Sequence, residues 1–103
     1  MSRRETLQAM LAQNPQDSFA RYGLAMEYAN LGDLELAVTQ YRALLAANPN
    51  YAAAYFHGGQ ALEKLGRVEE AREFYEKGIE VTGRTGDLHT QGELRAALEL
   101  LPI

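Results

Sequence analysis

Residues 14–49 read NPQDSFARYGLAMEYANLGDLELAVTQYRALLAANP, and residues 48–83 read NPNYAAAYFHGGQALEKLGRVEEAREFYEKGIEVTG. The second stretch repeats the first at a step of 34 residues. Asn14-Pro15 recurs as Asn48-Pro49 and Leu31-Gly32 as Leu65-Gly66. Ala20, Glu35, Ala37 and Tyr41 recur as Ala54, Glu69, Ala71 and Tyr75. Upstream of the first Pro the phase continues, with Ala9, Leu11 and Ala12 aligning with Ala43, Leu45 and Ala46. Self-similarity at one fixed offset is the mark of a repeat architecture. The 103 residues hold three such periods almost to the residue.

Each period reads as two helices. Between Ser18 and Asn30 the apolar residues Phe19, Ala20, Leu24, Ala25 and Tyr28 fall at helical spacing, not at strand alternation. Leu31-Gly32 breaks that run, and Asp33 is placed to cap the next start. From Leu34 to Ala47 a second stripe of Leu36, Ala37, Tyr41, Leu44 and Leu45 follows. It stops at Asn48, because a residue before proline is pushed out of the α region. The same order predicts a helix over Ala52 to Lys64 and another from about Val68 to Val81, stopped at Thr82-Gly83. Ser2-x-x-Glu5 is a capping box that opens a helix ending near Gln13. Gly86-Asp87 opens a last one, with Leu88, Leu94, Leu98 and Leu101 at helical spacings. The expected domain is therefore single, residues 1–103: a half-repeat helix over 2–13, repeats over 18–51 and 52–85, and a terminal helix over 86–101.

These motifs resemble the tetratricopeptide repeat, whose signature is W-x2-L-G-x2-Y, then A-x3-F, then P over 34 residues. The first period supplies Arg21-x2-Leu24-Ala25-x2-Tyr28, Ala37-x3-Tyr41 and Pro49. The second supplies Tyr55-x2-Gly58-Gly59-x2-Leu62, Ala71-x3-Tyr75 and Gly83. The last helix departs furthest, as His89-x2-Gly92-Glu93-x2-Ala96, with Glu93 where a small buried residue belongs. That suits a terminal helix with a wetter outer face, which repeat arrays need for solubility. The resemblance implies an all-α fold, a right-handed superhelical solenoid of antiparallel helix pairs. About six helices are expected, as two full units between flanking half-repeats. Small residues at Ala25, Ala37, Gly58, Gly59 and Ala71 should let helices approach closely. Two glycines inside a helix cost about 1 kcal/mol each relative to alanine, so Gly58-Gly59 points to a tight crossing. Tyr28, Tyr41 and Tyr75 should fill the space between layers. Leu44 and Leu45 should meet the next repeat, as Met10 and Leu11 should meet the helix from Phe19 to Asn30.

Composition narrows the chemistry. There is no Cys, which removes disulfides, thiolate metal sites and thiol catalysis. The two His, His57 and His89, have no paired carboxylate or second ligand at metal-binding spacing. Gly58-Gly59-Gln60 lies inside a helix and lacks the strand–loop–helix setting of a phosphate loop. No nucleophile, base and orienting acid are ordered as a catalytic set. No cofactor, metal or catalytic residue is expected, and the protein reads as a non-enzyme. Ten Lys and Arg against fourteen Asp and Glu give a net charge of −4, which opposes nucleic-acid backbones and anionic membranes. No apolar run is long enough for a signal peptide core or a membrane span, so a cytoplasmic protein is expected. The acidic run Glu69, Glu70, Glu73, Glu76, Glu80, broken by Arg67, Arg72 and Lys77, reads as a solvated convex face with a Glu73–Lys77 pair.

What the resemblance implies for function is a scaffold that holds a peptide or helix of a partner protein in a concave groove lined by the first helix of each pair. The corresponding residues are Phe19, Tyr22, Met26 and Asn30 in the first period and Phe56, Gln60 and Lys64 in the second. Leu94 follows on the last helix, with Ala53, Asp87 and Thr90 beside these positions. Tyr22 and Phe56, one period apart, are expected to pair along the groove, and His57 to sit at its edge. Some family members grip a C-terminal carboxylate with Lys, Asn and Arg. Here Tyr22, Met26, His57, Gln60 and Gln91 stand there, so that activity is not carried over and an apolar groove is expected. The alternative is self-association through the terminal helices, aided by an apolar end of Leu100, Leu101 and Ile103. A monomer or weak homodimer is expected.

Overall fold

A computed structural model describes residues 1–102, and these contain six α-helices and no strand. They are α1 (Arg3–Gln13), α2 (Ser18–Asn30), α3 (Leu34–Ala47), α4 (Ala52–Lys64), α5 (Val68–Thr85) and α6 (Leu88–Glu99). Ile103 lies outside the described residues. Of its expected apolar companions, Leu101 is buried in the core and Leu100 is 84% exposed.

The repeat in sequence becomes a repeat in hydrogen bonding. After α2, Gly32 takes φ +84°, its N–H donates to the Ala29 carbonyl, and Asp33 N–H reaches back to Tyr28 O at 2.8 Å. After α4, Gly66 takes φ +77° and the same two bonds run from Gly66 to Glu63 and from Arg67 to Leu62. A side chain with a Cβ is strained at this φ, which is why glycine ends both helices. The linkers after α1 and α3 also match, with Asp17 N–H donating to Asn14 O and Tyr51 N–H to Asn48 O.

The helix starts differ more. Ser2 and Glu5 form the expected capping box, each side chain accepting from the other's backbone N–H at 3.1 and 3.3 Å. Asp17 caps α2 through Ala20 N–H, and Asp87 caps α6 through Thr90 N–H. Asp33 occupies the cap position of α3, yet its side chain accepts no capping bond. The backbone turn around Gly32 already fixes that start. α5 also runs four residues past Val81, to Thr85. Gly83 stands where the first repeat has Pro49, so nothing stops the helix until Gly86 turns left-handed at φ +83°.

Helices pack in chain order, each on its neighbours, with α2, α4 and α6 side by side. This is an all-α solenoid of antiparallel helix pairs. Tyr41 and Tyr75 are fully buried at equivalent positions, and Ala25, Ala37 and Ala71 are fully buried between layers. Gly58 and Gly59 lie directly under the rings of Phe74 and Tyr75, where a methyl group would overlap the aromatic carbons. The crossing is therefore as tight as the two glycines implied. At the N-terminal end, Leu7 of α1 packs with Ala20 and Leu24, joined by Leu11. Met10, expected in that contact, is 36% exposed because Leu7 already occupies the face of α1 opposite Gly23. On α5 the Lys77 ammonium pairs with Glu80 at 3.4 Å instead of with Glu73.

Candidate partner-binding groove

The first helices of the pairs, α2 and α4, and the terminal α6 share one side of the molecule, and two openings lie between them. The one between α2 and α4 has a volume of about 120 Å³ and is lined by Met26, Asn30, Tyr41, His57, Gln60 and Lys64, among others. The one between α4 and α6 is larger, about 350 Å³, and is lined by Phe56, Gln60, Glu63, Glu93, Ala96, Ala97 and Leu100. Gln60 belongs to both. The bases of the two openings are set by equivalent tyrosines. Tyr41 donates its hydroxyl to the Met26 sulfur at 3.0 Å, and Tyr75 donates its own to the Glu63 carboxylate. Burial raises the pKa of both phenols, so they stay protonated donors.

An aromatic row runs along the same side. The Tyr51 ring lies 5.2 Å from Tyr22, Tyr22 lies 5.9 Å edge-on to His57, and His57 lies 5.3 Å edge-on to Phe56. The direct Tyr22–Phe56 pair does not form, because the His57 imidazole stands between the two rings. His57 is half-buried, and desolvation pulls its pKa below the usual 6.5 against the opposing pull of the Glu93 charge and a Gln60 hydrogen bond. The imidazole is thus held neutral, as another flat contact surface in the row.

The expected groove residues divide. Met26, Asn30, Gln60 and Lys64 line the first opening, Phe56 and Gln60 line the second, and Tyr22 is half-buried in the ring row. Phe19 stands 67% exposed at the start of α2 and lines neither opening. Asp87 is taken up by its cap. Leu94 is not a groove residue, since it is fully buried. The cause is Gly78 on α5. One period earlier α3 carries Leu44 there, itself buried. With no side chain at Gly78, the Leu94 methyl drops into the space, so near that a Cβ on Gly78 would meet it at 2.9 Å.

Residues 63, 93, 96, 97 and 100 were not legible as groove residues. Glu93 was read as part of an outer face, yet its carboxylate borders the second opening. The spacing 93, 96, 97, 100 is itself a helical stripe, and only the burial of Leu94 shows which way it turns. Among the described residues no cluster of His, Asp or Glu has the grouping of a metal site, and no helix is long and apolar enough to cross a membrane.

A family model for the tetratricopeptide repeat matches residues 22–82, more than half of the chain. The chain belongs to the tetratricopeptide repeat (TPR) family. A TPR repeat-containing protein of Pseudomonas aeruginosa is 29% identical over 97 residues, covering 94% of this chain and 92% of that protein. A TPR domain protein of Salinibacter ruber solved by NMR has a TM-score of 0.77 and 33% identity over 82% of this chain and 86% of its own. The crystal structure of YrrB, described as a TPR protein with an unusual peptide-binding site, has a TM-score of 0.80 and 26% identity. It covers 91% of this chain and 45% of that one. TPR proteins are generally non-enzymatic scaffolds, and the fold seen here is that of a protein-interaction module.

Proposed function

We propose that this TPR protein is a non-enzymatic scaffold whose concave face, built by α2, α4 and α6, holds a peptide or helix of a partner protein. The observation that carries this reading is the row Tyr51–Tyr22–His57–Phe56, half-exposed between two openings that share Gln60. Flat rings held by their neighbours give contact area at little entropic cost, which makes such rows good binding anchors. Lysine 64, Asn30 and Gln60 supply a polar edge that would orient the ligand. The peptide-binding site ascribed to YrrB supports the same reading by likeness. Three short helices offer a small interface, so affinity should be modest.

Asn30, Gln60 and Lys64 are exposed, and replacing them leaves the core intact. Immobilised wild-type protein should capture a partner from a lysate of the native organism. Gln60→Arg with Asn30→Arg should lose it while circular dichroism stays unchanged. Capture that survives both substitutions sinks the groove assignment. A second reading is pairing of copies through α6, favoured by Leu88 and Leu100, which are 71% and 84% exposed. A concentration-dependent dimer in sedimentation that vanishes with Leu88→Gln would support it, and we expect a monomer.

A further inference from the structure

The opening between α4 and α6 has a chemistry that the rest of the face lacks. Its floor is carbon, from the Phe56 ring, Ala96, Ala97 and Leu100. Its charged edges are both carboxylates, Glu63 on one wall and Glu93 on the other. Among the described residues neither is paired with a Lys or Arg. Glu63 is held in place by the Tyr75 hydroxyl, and Glu93 lies 3.8 Å from His89 on the same helix. The net charge of −4 gives the surrounding field the same sign. A volume of about 350 Å³ accommodates one or two large side chains.

We propose that this opening selects a partner segment carrying a large apolar side chain with a lysine or arginine close by. The apolar side chain enters the floor over Phe56, Ala96 and Ala97, and the cation lies between Glu63 and Glu93. Apolar burial supplies most of the affinity, and the two carboxylates supply orientation and selectivity. An acidic segment is repelled by the same pair, which is the reverse of a carboxylate-gripping groove. The proposal rests on the concave face being the binding surface, and it names the ligand chemistry of one half of that face.

The test is selection from a random peptide library displayed on phage, followed by fluorescence anisotropy of synthetic copies of the recovered peptides. Recovered sequences should combine an aromatic or large aliphatic residue with Lys or Arg at a constant spacing. Ala96 and Glu93 are exposed, so Ala96→Arg and Glu93→Lys should keep the helical circular dichroism. Each should weaken binding about tenfold or more, and Glu93→Lys should recover binding to peptides whose cation is replaced by Glu. Recovered peptides that are acidic or uncharged, or that ignore Ala96→Arg, overturn the proposal. Peptides that ignore Ala96→Arg but are lost on Asn30→Arg leave the concave-face reading standing and remove this one. If no peptide rises above background, both fall. A wild-type dimer that Ala96→Arg converts to monomer makes a second copy the occupant and likewise overturns it.

Discussion

The gap between α2 and α4 and the gap between α4 and α6 are built on the same backbone one period apart, yet one is filled and the other is open. In the first, Tyr51 and His57 close on Tyr22 at 5.2 and 5.9 Å, with Tyr41 at 6.4 Å behind them. One period later the matching residues are Thr85, Gln91 and Phe56, so a single ring stands where three six- or five-membered rings met before. Gln91 turns away to donate to the Ile79 carbonyl at 3.3 Å. The opening grows from about 120 to about 350 Å³. The lesson is that the repeat sets where a site can be, and departures from the repeat set whether one is there. The same lesson holds in the core, where Leu44 and Gln60 in the first period become Gly78 and Leu94 in the second. A large residue and an outward one are exchanged across the interface, and the volume is conserved by a different helix.

The sharpest break of this comparison is at Leu94. Leu94→Ala should cost about 2–5 kcal/mol, since it empties a fully buried site. Gln60→Ala, its partner one period earlier, should stay within about 0.5 kcal/mol. Urea unfolding followed by circular dichroism measures both, and similar costs would mean that Leu94 does not replace Leu44 in the packing.

A smaller effect with a change of sign is expected at Gly58 and Gly92, again 34 residues apart. A Cβ at Gly58 overlaps the Phe74 ring, whereas one at Gly92 meets nothing within 4 Å. Gly58→Ala should lose about 1–3 kcal/mol by overpacking, and Gly92→Ala should gain up to about 1 kcal/mol from helix propensity. A gain at both positions would show that the Phe74 ring moves aside freely.

The smallest effect concerns the ring row alone. His57 has a folded pKa below 6.5, so as pH falls the unfolded chain takes up its proton first. Stability from this group is therefore full above about pH 7 and is lost as pH drops below 6.5 toward the folded value. Thermal unfolding at about pH 7.5 and about pH 5.5 should show a smaller drop in Tm for His57→Gln than for wild type. Glu70 and Asp87 act in a separate window. Their pKa values are lowered, by the Arg67 hydrogen bond and by the Thr90 backbone N–H, so their contribution is lost only in more acidic solution. Equal drops in the two proteins would place His57 in solvent and break the row.

The fold was legible because it is written in local chemistry. Asn-Pro and Leu-Gly boundaries, the Ser2–Glu5 capping box and the apolar stripes each act within a few residues, so reading them needs no tertiary contact. The groove was half legible. Met26, Asn30, Phe56, Gln60 and Lys64 sit on full repeats, and the period carried them to the correct side. Leu94 failed because its direction depends on a missing side chain sixteen positions upstream, at Gly78. The end of α5 failed because Gly83 can remain helical where proline cannot.

By itself the sequence determined six helices, their order and their pairing, because a 34-residue period of turns and small residues leaves a chain few ways to bury its stripes. It also excluded thiol chemistry through the absence of Cys. Only the tertiary structure decided which gap is filled and which is open, that His57 separates Tyr22 from Phe56, and that Glu63 and Glu93 face each other across carbon. Those facts depend on side-chain volumes meeting across helices far apart in the chain, and no periodicity records them.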